Sequence, residues 1–192
     1  HGNRPTGLYI PRFRNVGGQD EDADFVRGYG YQTATMRMDW QTGINARGFG
    51  GELKDKLRKP GPWIFVLAGF TECLPRESNR MYLSRDKVDR YGIPQVVFDF
   101  EWGENEIKLR RDARKHAERL LKAAGAVLIV PEEDKISLPG EGIHEMGTAR
   151  MGADPATSVL NAHNQAHDVP NLFITDGSFM TSASCVNPSL TY

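Results

Sequence analysis

Tyr29-Gly30-Tyr31-Gln32-Thr33-Ala34-Thr35-Met36-Arg37-Met38 alternates strictly, with Tyr29, Tyr31, Thr33 and Thr35 on one face. A period of two with aromatic and β-branched residues predicts a β-strand, and this strand sets the fold class. Working outward, Trp63 to Phe70 is apolar on both faces and reads as a central strand. Asn79 to Leu83 is a shorter strand, and Arg90 to Pro94 is turn chemistry leading into a strand over Gln95 to Phe100. Val127 to Val130 and Asn171 to Thr175 read as two more. A short helix over Glu52 to Leu57 is ended by Lys59-Pro60-Gly61-Pro62. The clearest helix is Glu104 to Ala124, with Ile107, Ala113, Ala117, Leu120, Leu121 and Ala124 as its apolar stripe. Gly125 stands where a left-handed C-terminal cap is expected. Several strands with few helices imply an α+β fold, mainly an antiparallel sheet with helices on one side.

Composition narrows the function classes. The chain has 192 residues with 24 basic and 25 acidic side chains, a formal net charge of -1. Neither nucleic acid nor an acidic membrane surface is favoured by that balance. The 39% hydrophobic content is that of a folded chain. The longest apolar run, Trp63 to Phe70, is strand-sized, so no membrane span is expected. Cys73 and Cys185 lie far apart in unlike surroundings, and a disulfide between them stays open. The first thirty residues are rich in Gly, Arg and Asp, and Gly17 to Asp22 reads as an exposed loop. From Pro139 onward the texture turns to Gly, Ser, Thr, Asn and His, which places a change of unit there: 1–140, then 141–192. The chain starts at His1 and stops at Tyr192 just after a helix-start signal, and it reads as a piece of a longer polypeptide.

The chemistry concentrates in that second unit. Gly142-Ile143-His144-Glu145-Met146-Gly147-Thr148-Ala149-Arg150-Met151-Gly152 carries an imidazole, and Cys185-Val186-Asn187-Pro188-Ser189 carries a side-chain amide. An imidazole can take a proton from a substrate hydroxyl, and an amide can hold the oxygen that loses it. Alcohol oxidation by hydride loss needs that pair, yet no cofactor-binding fingerprint occurs in the chain to receive the hydride. Phe173-Ile174-Thr175-Asp176-Gly177-Ser178 ends an apolar strand in Asp-Gly, an arrangement found at the cofactor edge of α/β sheets and also in ordinary turns. Asn187-Pro188 has the form of an N-cap followed by Pro at the first helical position.

Competing chemistries fit less well. His144 opens like H-E-x-x-H, but Thr148 occupies the second ligand position, so the two-His helix face does not exist. His163 and His167 have i,i+4 spacing within loop-like sequence, and neither cysteine is placed to complete a zinc site; no metal is expected. Gly177-Ser178-Phe179 lacks the G-x-S-x-G elbow of a serine hydrolase.

Four ordered blocks together resemble the C-terminal part of the glucose–methanol–choline oxidoreductases, FAD-dependent enzymes that oxidise alcohols. They are H-E-M-G-T-A-R-M-G from His144, D-P-A-T-S-V-L-N from Asp154, V-P-N-L-F-I-T-D-G-S from Val169, and N-P-S-L-T from Asn187. Residues 1–140 resemble, more loosely, that family's substrate domain. The wording T-A-R-M-G and V-P-N-L-F-I-T-D-G leans towards gluconate dehydrogenase flavoproteins and pyranose oxidases. The resemblance implies that 141–192 returns to complete an α/β FAD-binding domain. It implies His144 as the base that removes the hydroxyl proton while hydride leaves for flavin N5. It implies Asn187 as the partner of the substrate oxygen, Asp176 and Gly177 beside the FAD diphosphate, and Asn187, Pro188 and Ser189 at the flavin's pyrimidine edge. The substrate class implied is a small alcohol, sugar or polyol, with room for a separate electron-acceptor subunit. The family's N-terminal Rossmann unit is missing from these residues, so the polypeptide alone is expected to be inactive or to bind FAD poorly. Asn161 departs from the family pattern, where Asp is frequent. The alternative is a non-catalytic substrate-binding or assembly module derived from such an enzyme; the missing Rossmann motif favours it and the intact His144/Asn187 pair opposes it.

Overall fold

The computed structural model describes residues 7–11, 13–37, 47–59, 61–131, 136–138, 144–183 and 185–191. The element order is β1 (Tyr9–Ile10), β2 (Tyr29–Arg37), α1 (Gly50–Arg58), β3 (Trp63–Thr71), β4 (Arg80–Val88), β5 (Pro94–Asp99) and α2 (Glu104–Ala123). A short 3-10 helix follows at Gly177–Phe179. Strands β1, β2 and β3 form one antiparallel sheet in that order, and β4 pairs β5 in a second. The fold is α+β with antiparallel pairing throughout its named strands, as expected, but distributed over two sheets.

The alternation in β2 decides what each face meets. Tyr29 and Tyr31 are fully buried against α2, where Leu109 and Ala113 complete the core with Phe25. Phe13, Tyr29 and Tyr31 pack as aromatic neighbours, Phe13–Tyr29 at 5.4 Å edge-on and Tyr29–Tyr31 at 5.6 Å. The Tyr31 hydroxyl donates to the Ala113 carbonyl, and that of Tyr29 donates to Asp112 Oδ2 at 2.6 Å. Arg14 Nε meets the same carboxylate at 3.1 Å and ties the N-terminal loop to the helix. Burial pushes the Tyr31 phenol up to about 12, and burial together with the Asp112 contact raises that of Tyr29 further.

Helix α2 starts on Glu106, which is buried and accepts from Gly103 N at 2.8 Å, Leu74 N at 3.0 Å and Arg76 Nη2 at 2.9 Å. The same carboxylate and the burial around it hold the Cys73 thiol up at about 11, burial being the larger cause. Both cysteines are free thiols. At the other end of α2, Gly125 takes the expected left-handed conformation at φ 83°.

Several expectations are corrected. Strand β3 is an edge strand, not a central one, and Trp63, Ile64, Phe65 and Val66 are exposed. Apolar content reports which residues would accept a neighbour, not whether one is present. Val127 to Val130 is irregular and Val127 is fully exposed, because a β-forming run needs a partner edge to become a strand. Asn171 to Thr175 keeps only a single bridge, Gln165 to Phe173. Of the expected apolar stripe of α2 only Ala113 is buried, Ile107, Ala117 and Leu121 are half-buried and Leu120 and Ala124 are exposed, while the fully buried leucine of the helix is Leu109, outside that stripe. The change of unit near Pro139 falls outside the described residues, as does Met38.

Candidate functional site

Residues 144–180 fold without a long strand or helix. A second core of Leu160, Ala166 and Phe179 holds them, flanked by Ala149, Met151, Ile174 and Met180. Three isolated bridges, Met151 to Leu160, Leu160 to Ala166 and Gln165 to Phe173, connect successive segments. The blocks beginning at His144, Asp154 and Val169 thereby become layers of one unit.

His144 enters this unit at an exposed position, and its imidazole has no hydrogen-bond partner among the described residues. The chain after it is held firmly. Ala149 N donates to the Ser178 carbonyl at 3.0 Å and Met151 N to that of Phe179 at 2.9 Å. Met146 lies over Gly177: a Cβ there would come within 2.7 Å of the Met146 sulfur, so any larger residue would have to displace that side chain. Asp176 is the N-cap of the 3-10 helix and accepts from both Ser178 N and Ser178 Oγ. Those two bonds hold its carboxyl below the usual range, the side-chain bond being the larger cause. The structure therefore brings the His144 segment and the Asp176–Gly177 segment together.

Asn187 arrives by another route. Ala183 N donates to Glu72 Oε1 at 3.2 Å, and Glu72 in turn meets Arg27 Nε at 3.4 Å. Cys185 lies over Gly30 so closely that a Cβ on Gly30 would sit 3.1 Å from the sulfur. Two residues on, Asn187 Oδ1 accepts from Gln32 Nε2 at 3.3 Å. The segment thus tracks β2 over the Gly30/Gln32 face, opposite the face covered by α2. Pro188 is buried, Asn187 and Ser189 are exposed, and Thr191 N closes a single turn on the Pro188 carbonyl at 2.7 Å. The expected helix start is, within the described residues, one turn. No hydrogen bond joins His144 to Asn187 among the described residues.

Gln32 and Glu72 were missed as contributors. Gln32 could have been found: it is the one amide on a strand face otherwise made of Gly30, Ala34 and Met36. Glu72 gives no such signal. His167 donates or accepts at Ser158 Oγ at 3.1 Å and lies 3.2 Å from the Gly152 carbonyl, so it clips a loop. No helix of the described residues is long and apolar enough to cross a membrane.

Comparison with known proteins follows this geometry. The chain is 37% identical to 2-methyl-1,2-propanediol dehydrogenase of Mycolicibacterium austroafricanum over 191 residues, covering 96% of this chain and 33% of that protein. It is 37% identical to paromamine 6'-oxidase of Streptomyces fradiae over 117 residues, 61% of this chain and 21% of that one. It is 29% identical to the fructose dehydrogenase large subunit of Gluconobacter japonicus over 182 residues, 95% of this chain and 32% of that one. The chain spans about a third or less of the length of these relatives. The sequence pattern of GMC oxidoreductases matches residues 75–192, which takes in α2 and everything described from His144 onward. The chain belongs to the GMC oxidoreductase family.

Proposed function

We propose that this chain is the substrate domain and catalytic segment of an FAD-dependent oxidoreductase acting on a CH–OH group of an alcohol, sugar or polyol. The boundary between the two parts is placed near 140. The observations that support the reading are an exposed imidazole at His144, without a hydrogen-bond partner among the described residues, on the segment packed against Asp176–Gly177, and an exposed amide at Asn187 anchored separately to β2.

The donor set suits a flavin. Asp176 accepts from Ser178 with its carboxylate, so its contribution to a cofactor would be through the backbone N–H groups of Asp176 and Gly177. Membership of the family supports Asn187, Pro188 and Ser189, which open a single turn, as the residues beside the flavin's pyrimidine edge. Bound FAD supplies the acceptor for hydride; its ADP portion would be held by residues of a Rossmann unit outside this sequence. His144 accepts the hydroxyl proton, and its exposure lets substrate reach it. Asn187 donates to the substrate oxygen as negative charge develops there.

The names of the relatives, a diol dehydrogenase, a paromamine oxidase and a fructose dehydrogenase, support a hydroxylated small molecule as substrate. That one of them is a large subunit supports a partner subunit, which we propose as electron acceptor. In the full-length enzyme, His144→Ala should slow anaerobic flavin reduction by roughly 10²–10⁴-fold. Unchanged reduction kinetics would remove His144 from the role of base.

A further inference from the structure

Gln32 sits on the one face of β2 that the helix leaves open, in register with Asn187 as Gly30 is with Cys185. A side-chain amide has two unlike ends, an accepting oxygen and a nitrogen with two protons. Gln32 Nε2 donates to Asn187 Oδ1 at 3.3 Å, which occupies the accepting end. Asn187 Nδ2 has no partner among the described residues. We propose that Gln32 is a positioning residue that fixes the polarity of the Asn187 amide, so that its N–H end faces the substrate oxygen. This rests on the reading of Asn187 as the group that holds that oxygen.

The polarity matters because the two ends act oppositely in the reaction. As the hydroxyl proton leaves for His144, the oxygen gains negative charge. A donor aimed at that oxygen strengthens its hold in the transition state, whereas an acceptor repels it. An unconstrained Asn187 would sample both orientations, and a flipped one would bind a neutral hydroxyl while opposing its oxidation. The hydrogen bond from Gln32 biases the amide against that flip. Gly30 leaves room for the Cys185 side chain, the Glu72 bond to Ala183 sets where the segment starts, and Gln32 offers the Asn187 amide an N–H.

The test uses the full-length holoenzyme and three substitutions read by the saturating rate of anaerobic flavin reduction and by KM. Asn187→Ala should lose roughly 10²-fold or more, the usual cost of an oxyanion donor. Gln32→Leu frees the amide and should cost about 2–5-fold, since substrate can still select the right rotamer. Gln32→Glu keeps the size but offers only acceptors, so it turns Asn187 Nδ2 towards β2 and should cost about 10-fold or more. Both Gln32 losses should fall on the rate and leave KM nearly unchanged, and both should vanish on the Asn187→Ala background. A role for Gln32 in folding alone would give equal losses in the two backgrounds, and Gln32→Glu no slower than Gln32→Leu would equally overturn the proposal. Wild-type rates in Asn187→Ala itself would instead bring down the reading of Asn187, and the proposal with it.

Discussion

Two cores stabilise this chain by different means. Around Tyr29, Tyr31 and Leu109 a helix lies on a regular sheet, and burial follows from periods of two and 3.6 along the sequence. Around Leu160, Ala166 and Phe179 no element is long enough to have a period, and single backbone bridges with side-chain amides and caps take its place. The candidate chemistry sits in the second kind of structure. Asn187 is instead tied to the first, through Gln32. A regular element presents a face; an irregular one can aim two segments, such as Glu145–Met146 and Asp176–Gly177, at the same place.

The largest expected effect separates the cores directly. Leu109 and Leu160 are both fully buried, and replacing either by Ala should cost about 2–5 kcal/mol. Hydrogen exchange should then divide them. Leu109→Ala should speed exchange across 29–37 and 63–71 while sparing 160–174, and Leu160→Ala should do the reverse. Equal loosening of both regions by either substitution would mean that one cooperative core is present. A smaller effect is expected at the contact of two site segments. Gly177→Ala pushes a methyl into Met146 and should cost about 1–3 kcal/mol. Because Met146 follows His144 by two residues, flavin reduction in the full-length enzyme should slow while the exchange of β2 stays unchanged.

The same contrast governs what could be read from the sequence. The strand over 29–37 and the helix from Glu104, with its Gly125 cap, were legible because alternation and a stripe repeat over many residues. Val127 to Val130 was misread because a short apolar run carries no information about whether an edge exists to pair with. In the second core the motif blocks could be recognised as a set, yet their layering could not. It depends on bridges such as Met151 to Leu160, which obey no period. Gln32 was visible only as an odd residue on a small-residue face, and Glu72 not at all, since each acts on a segment more than a hundred positions away.

The helix-on-sheet core also carries an alkaline pH signature. The phenols of Tyr29 and Tyr31 are held neutral by burial, with the Tyr31 pKa at about 12 and that of Tyr29 raised in the same direction. In the unfolded chain both titrate near 10. A folded pKa above the unfolded one means that the native state keeps protons the unfolded state has lost. Stability is therefore intact below about pH 10 and falls as pH rises towards 12, by about 1.4 kcal/mol per pH unit for each tyrosine. Tyr31→Phe should remove its share of that slope, measured by denaturant unfolding at several alkaline pH values. A slope unchanged by the substitution would show that the alkaline sensitivity arises elsewhere.

The finest distinction lies within the loop core, at Asn161. Its Oδ1 accepts from His163 N at 2.8 Å and Gln165 N at 3.3 Å, a turn that an aspartate would make as well. Its Nδ2 donates to Gln165 Oε1 at 3.0 Å, which an ionised carboxylate cannot do. Gln165 is not free to flip in compensation, because its own Nε2 is engaged by the Pro170 carbonyl at 2.6 Å. Asn161→Asp should therefore keep the turn, lose one hydrogen bond and set two acceptors against each other, at a cost of about 1 kcal/mol. The introduced carboxyl regains a donor when protonated, so the loss should be full at neutral pH and shrink as pH falls through roughly 4. Asn161→Ala, which removes the turn acceptor as well, should cost more and show no such recovery. A pH-independent loss in Asn161→Asp would mean that the amide donor contributes nothing, and that the turn acceptor alone stabilises this corner of the site.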